Sequence, residues 1–390
     1  MMSAAASGLR APLILAAGAM TVMSGAAIAP ALGELHLALT SGGGKGIDRF
    51  VLILPAIVVL FAGPLIGRMS SWISPRIVLC FRLALLAVAG ALGGLANSYG
   101  WLLVTRGLLG VATAIVLCSA TAAIVRFFEG PARGRMMSAQ TACNTLSGVV
   151  FIVCGGLLAT LSWRLAFAIY LLAVPVAILA WRLDWGDVLE APAKQHGGAG
   201  IQDDLPMLGM IVLAMGCFYL LPTQVPFLQG VLAGPAEAAL AIAGGTLASA
   251  PCAMLAPKLS RLLGRRNMMA SGAGAMALGN LLMTLADGPL AATLAAVLVG
   301  SGFGLILPLA ILVVMGRTGA PDREAKSGWV ASAIYCGQVF AVVLATSAAS
   351  WGNTVPFAIS AGILAGGLVV ALLAIWVRRL GVNARSQIGD

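Results

Sequence analysis

Charge is what this sequence has least of. Lys, Arg, Asp and Glu together make up 9% of its 390 residues, against about 25% in an ordinary soluble domain. A water-soluble fold of this length could not cover its surface with so few, which excludes a soluble enzyme, a disordered chain and a nucleic-acid binder despite a formal net charge of +10. Histidine is scarcer still. His36 and His196 are the only two, too few for a metalloprotease motif or a His-based catalytic cluster. The seven cysteines all sit in apolar runs and form no C-x-x-C pair, so they read as small buried hydrophobes rather than disulfides or zinc ligands. A phosphate loop is missing too: in Gly42-Gly43-Gly44-Lys45-Gly46 the lysine is followed by glycine where Ser or Thr is needed, and ATP is not expected as an energy source.

What the chain has in abundance is apolar length. Hydrophobic residues are 60% of the total. Stretches long enough to cross a bilayer run at 11–32, 50–67, 76–96, 101–125, 136–161, 163–183, 205–229, 237–256, 268–286, 289–315, 327–349 and 354–377, twelve in all. Each is expected to be helical, because a helix satisfies its own backbone groups in lipid. A large transmembrane barrel would instead alternate apolar and polar residues in segments of about 10. The fold class expected is therefore an all-α polytopic membrane protein.

The basic residues orient it. With both termini on the cytoplasmic side, 19 of the 23 Lys and Arg fall in cytoplasmic segments and only Lys45, Arg49 and Arg164 in outer ones, with Arg106 inside a span. That asymmetry follows the positive-inside rule and accounts for the basicity without nucleic acid. The pattern also repeats: the basic loop 68–76 recurs at 258–266, and 126–135 recurs at 317–326. The most polar stretch, 184–204, lies between the copies. The expected organisation is an N-terminal six-helix bundle (1–183), a cytoplasmic linker (184–204) and a C-terminal six-helix bundle with a short cytoplasmic tail (205–390). Such duplication is how many secondary transporters build a site at the membrane midplane.

Several motifs carry a family resemblance. After the second apolar run, residues 67–76 read GRMSSWISPR, of which Gly67 and Arg76 match the pattern G-x-L-x-D-R-x-G-R-R. The counterpart at 257–266, PKLSRLLGRR, keeps Arg261, Gly264, Arg265 and Arg266. An arginine followed by glycines in the fourth run is Arg106-Gly107-Leu108-Leu109-Gly110. Ala29-Pro30-Ala31-Leu32 and Ser162-Trp163-Arg164-Leu165-Ala166-Phe167 are further phrases of the same kind. Over essentially its whole length the chain resembles the major facilitator superfamily, nearest in pattern to bacterial drug and small-molecule efflux members. It departs from the drug:proton antiporters at Phe151-Ile152, where those carry Gly-Pro, and at Ala26, where several hold an acid. The resemblance implies two pseudo-symmetric six-helix bundles and assigns Gly67, Arg76, Gly107, Gly110, Arg261, Gly264, Arg265 and Arg266 to conformational motifs.

Read from the residues alone, Arg106 is the leading functional candidate. A guanidinium inside a span costs about 2.5–3.5 kcal/mol on insertion scales and should face the bundle interior with a partner. A carboxylate, a backbone carbonyl or an anionic substrate would each serve; so would a purely structural lock. Glu34, near the outer end of the first helix, is a candidate partner if that helix continues past Pro30, and a surface acid otherwise. His36 points away from Glu34 and is expected to be solvent-exposed. A central cavity needs polar anchors: Thr21, Ser24, Thr113, Asn144, Ser147 and Tyr170 from the first half, Tyr219, Thr223, Gln224, Asn280, Tyr335 and Gln338 from the second. Pro222 and Pro226 among Tyr219, Thr223 and Gln224 are expected to interrupt helix seven at mid-to-outer depth, freeing carbonyls for a substrate or gate.

The function expected is secondary transport of a small organic molecule across the cytoplasmic membrane by alternating access, first as proton-coupled efflux of a hydrophobic or amphipathic compound. The alternative is a metabolite or siderophore-type carrier, a uniporter or importer, for an anionic or neutral ligand. The partners expected are a small-molecule substrate, protons and the lipid bilayer, with no nucleic acid. The protein is expected to be a monomer and not an enzyme, with no cofactor and no metal site, and to sit in the cell membrane (the inner membrane in a bacterium) with both termini cytoplasmic.

Overall fold

The computed structural model describes residues 2–39, 47–69, 75–128, 130–182, 202–228, 230–316, 323–348 and 350–369. Twelve helical segments follow the twelve apolar runs: α1 (Arg10–Leu39, in several pieces), α2 (Ile47–Met69), α3 (Pro75–Ala91, then Leu92–Leu95), α4 (Tyr99–Phe127), α5 (Gly130–Leu161), α6 (Leu165–Arg182), α7 (Leu205–Gln224, then Val225–Phe227), α8 (Pro235–Leu263), α9 (Arg265–Thr284), α10 (Pro289–Gly316), α11 (Arg323–Ser347) and α12 (Val355–Val369). Eight are long and apolar enough to cross a membrane within their described residues, and apolar stretches of α3 and α12 are shorter. No β-strand occurs among the described residues. The expected linker falls almost entirely on 183–201, outside them.

Small residues set how closely the helices approach, as packing in lipid requires. In the first half α1 lies on α5 and α4, α2 on α4, and α3 on α6; in the second, α7 lies on α11 and α10, and α8 and α9 both lie on α10. The halves meet along α5 and α8 and along α2 and α11. At the first seam a Cβ on Gly156 would stand 2.8 Å from the carbonyl of Pro235. At the second, Ile53 and Ala56 of α2 pack with Val342 of α11.

Two helices depart from regularity. In α1 the first rod ends at Met20, a single turn covers Met23–Ala26, a 3₁₀ turn covers Ala29–Ala31, and a second rod runs Leu32–Leu39. In α6 the first eight residues, Leu165–Leu172, are 3₁₀ before an α-helix takes over at Ala173. The interruption expected in α7 is much milder. That helix continues through Pro222 to Gln224 and closes with a 3₁₀ turn at Val225–Phe227, so the break at mid-depth belongs to α1 instead.

Candidate functional site

The 3₁₀ start of α6 builds the pocket around Arg106. Three residues per turn eclipse positions i and i+3, so Phe167 and Tyr170 stand one above the other and present two rings to α4. The Arg106 guanidinium lies 4.7 Å from the Phe167 centroid and 5.2 Å from that of Tyr170, within cation–π range. Its Nη1 donates to the Tyr170 hydroxyl at 2.8 Å, and that hydroxyl donates at 2.9 Å to the carbonyl of Met23, in the broken part of α1. The fourth wall is α3, where a Cβ on Gly93 would overlap the Phe167 ring and stand 2.9 Å from Arg106 Nη2. Arg106 is 0% exposed, and its Nε and Nη2 have no hydrogen-bond partner.

Arg106 is thus sealed among α1, α3, α4 and α6 of the first half. Of the two alternatives left open for Glu34, the structure has the surface acid, exposed on the second rod of α1. The aromatic faces of α6 take the place of a carboxylate, an arrangement that depends on the 3₁₀ register and is invisible in an apolar run.

At mid-depth between the halves stands an aromatic group. Tyr219 of α7 and Tyr335 of α11 pack together on Ile53, Ala56 and Val342, and a Cβ on Gly25, in the break of α1, would sit 3.0 Å from the Tyr219 hydroxyl. Next to Tyr219 in sequence, Phe218 stacks on Phe303 of α10 at 4.3 Å with the rings 12° apart. Gln338 is partly buried one turn along α11. Thr223, fully buried, bonds back to the carbonyls of Tyr219 and Leu220. Thr21, Ser24, Thr113 and Ser147 likewise bond back within their own segments, and buried Asn280 donates to Met276. Asn144 accepts from Gln140 at 2.8 Å, and Gln140 also donates to the carbonyl of Leu15 on α1.

A third group closes the distal end, the end carrying the α1–α2, α7–α8 and α11–α12 connections. Arg49 Nε and Nη2 both donate to Gln224 Oε1, at 3.0 and 2.6 Å, and its guanidinium lies 4.5 Å over the Phe227 ring. Gln224 Nε2 reaches the carbonyl of Asn353 at 3.4 Å, and Asn353 Nδ2 donates to the carbonyl of Phe227 at 2.8 Å. Beside Arg49, the Asp48 carboxylate accepts from the Tyr99 hydroxyl and meets His36 Nδ1 at 2.8 Å. On α1, Gly33 lies so close to the carbonyl of Pro226 that a Cβ would overlap it. His36, expected to be solvent-exposed, is thus half-buried and paired. Arg49, counted from the sequence as an outer-loop cation, is 4% exposed and bridges the halves. The signal available was the Asp48-Arg49 pair directly preceding an apolar run.

At the opposite end, Lys326 of α11 meets Asp204 at the start of α7 at 2.5 Å, both largely buried. A carboxylate at a helix N-terminus is also favoured by the helix dipole. Of the motif residues, Gly110 is a true close approach, with an added Cβ 2.9 Å from Pro55 Cα on α2, whereas one on Gly107 would meet nothing within 4 Å. Gly264 has φ +83° and turns the chain from α8 into α9, flanked by exposed Arg261, Arg265 and Arg266. Gly67 and Arg76 lie in helical residues whose side chains fall outside those described. Among the described residues no cluster of three or more His, Cys, Asp or Glu could hold a metal.

The Major Facilitator Superfamily model matches this chain at residues 14–230 and again at 206–388. The chain belongs to the Major Facilitator Superfamily. This facilitator is 31% identical over 201 residues to the cephamycin export protein CmcT of Amycolatopsis lactamdurans, covering 50% of this chain and 40% of that one. Over 118 residues it is 31% identical to the multidrug transporter protein MdtP of Bacillus subtilis (strain 168), covering 30% of this chain and 21% of that one. The matches therefore span less than half the length of either relative. Among solved structures, the nucleoside transporter NupG superposes with a TM-score of 0.74 at 12% identity, over 94% of this chain and 99% of that one. A bacterial homologue of the lysosomal transporter Spinster, inward-facing and occupied, gives 0.72 at 15%, over 93% and 94%. An auto-inhibited POT family peptide transporter gives 0.70 at 14%, over 95% and 97%. At such identities the likeness carries the fold, twelve helices in two six-helix bundles. Family membership and the apolar helices make the chain a multi-pass membrane protein.

Proposed function

We propose that the facilitator expels a hydrophobic or amphipathic small molecule from the cell in exchange for protons. Residues 1–183 and 205–390 rock against each other as a monomer, with 184–204 as a cytoplasmic tether. The observation that carries this reading is the mid-depth group of Phe218, Phe303, Tyr219 and Tyr335 beside the break in α1. Stacked rings and phenols suit an apolar body with one or two polar points. The buried carboxylates among the described residues, Asp48 and Asp204, lie at the two ends of the bundle, so among those residues none stands at this site to pair with a cationic drug. With the termini placed in the cytoplasm, the Arg49–Gln224 closure serves as the outer gate. The names of the two curated relatives, an exporter and a multidrug transporter, point the same way.

The second reading, a metabolite or siderophore-type carrier for an anionic or neutral ligand, requires the sealed pocket of Arg106 to open, so that its two unpartnered nitrogens meet the ligand. Reconstitution in liposomes with an internal pH indicator separates the two. Addition of a substrate should move protons against it, and Tyr219→Ala should weaken the apparent affinity by about tenfold, in line with the loss of one buried aromatic contact. Solute movement with no pH response would reject antiport, and unchanged affinity in Tyr219→Ala would remove the aromatic site.

A further inference from the structure

The distal network holds a charge arrangement that the transport reading leaves unused. Asp48 is 1% exposed, yet its carboxylate is met from three elements. His36 Nδ1 at the end of α1 lies 2.8 Å away, the Tyr99 hydroxyl reaches it from the start of α4, and on α2 it compensates the positive charge of Arg49. Arg49 in turn crosses to the other half, held by Gln224 Oε1 and the Phe227 ring of α7. Phe227 also meets the His36 ring edge-on at 6.0 Å. Glu34, two residues before His36, is exposed, and Lys45 lies outside the described residues. The His36 side chain is 31% exposed, so it meets the distal solution while Asp48 does not.

Burying Arg49 between the halves is tolerable because Asp48 cancels its charge. While His36 is neutral, the two form a compensated pair. When His36 takes a proton, one carboxylate serves two cations, the cluster gains a net positive charge, and keeping it dry beneath Phe227 becomes more costly. Opening the distal side returns Arg49 to water and relieves that cost. We propose that the His36–Asp48 pair is a proton site, filled from the distal side, whose occupancy unlatches Arg49 from Gln224 and favours the distal-open state. By linkage, the state that bears the added charge at lower cost gains as pH falls. The inference rests on the alternating-access reading and on no particular substrate.

The test uses the full chain in nanodiscs, with native cysteines replaced and spin labels attached through Leu95→Cys and Leu285→Cys, exposed positions at the distal ends of α3 and α9. Between about pH 8 and pH 5 the interspin distance should gain a longer component. The open-to-closed ratio should rise with a slope approaching about tenfold per pH unit, the limit for one proton. His36→Gln should keep the short distance and lose the pH response; Asp48→Asn should show the long distance throughout. A wild-type distribution that ignores pH overturns the proposal, and so does a His36→Gln protein that responds like wild type. Solute flux on the same preparation is scored separately: a pH-dependent distance without flux upholds the proton site and removes the efflux reading.

Discussion

Removing a single oxygen from Tyr170 tests how Arg106 is held. In Tyr170→Phe the ring stays beneath the guanidinium, so packing and cation–π contact persist. The bonds of the hydroxyl vanish: Arg106 Nη1 loses its acceptor, and the carbonyls of Met23 and Ser24 lose a shared donor, although that of Met23 still accepts from the Ala27 N–H. A hydrogen bond to a charged group is worth about 1.5–3 kcal/mol and an ordinary one about 0.5–1.5 kcal/mol. Nε and Nη2 are already unpartnered, so no spare bond absorbs the loss, and the expected destabilisation is about 2–4 kcal/mol. Equilibrium unfolding by steric trapping in bicelles measures it. A double-mutant cycle with Arg106→Met identifies the cause. Once an apolar chain replaces the cation, Tyr170→Phe should cost about 1.5–3 kcal/mol less than it does in the wild type. Additive costs in that cycle, or a change below about 0.5 kcal/mol for Tyr170→Phe alone, refute the claim that this hydroxyl holds the guanidinium.

Gln224→Ala removes both bonds from Arg49 and should shift the gate towards distal-open by roughly ten- to a hundredfold, read as faster labelling of a cysteine at Tyr335 from the distal side. Gly33→Ala should shift it the same way through overlap with the Pro226 carbonyl, leaving thermal stability within a few degrees of wild type. Lys326→Met takes the cation away from the buried Asp204 carboxylate and should destabilise the protein by about 3–5 kcal/mol, whereas Lys326→Met with Asp204→Asn should recover most of that in the same unfolding assay.

The helices were legible because lipid demands long apolar runs, and every run from 11–32 to 354–377 contains a helical segment among its described residues. Arg106 was legible as a costly charge in such a run. Its surroundings were not, because they depend on α6 taking three residues per turn over Leu165–Leu172, and hydropathy does not distinguish 3₁₀ from α. Proline misled: Pro222 passes within an intact α7, while α1 breaks around Thr21 and Val22, ahead of its Pro30. The gate was hidden for another reason. Arg49 and Gln224 are 175 residues apart, and a pairing over that span becomes visible only once the two halves are docked.

The fracture in α1 divides labour along one chain segment. Its first rod stays seated against α5 through Gln140, while the eight-residue second rod bears Gly33, Glu34 and His36. Between them, Met23 is tied to Tyr170 and Gly25 stands beside Tyr219. On the proposed reading, the stub can tilt as the two halves rock without unseating the rest of the span, with its pivot at the depth of the aromatic rings. A molecule lodged among those rings presses on the fulcrum, and a small displacement there is magnified at the tip.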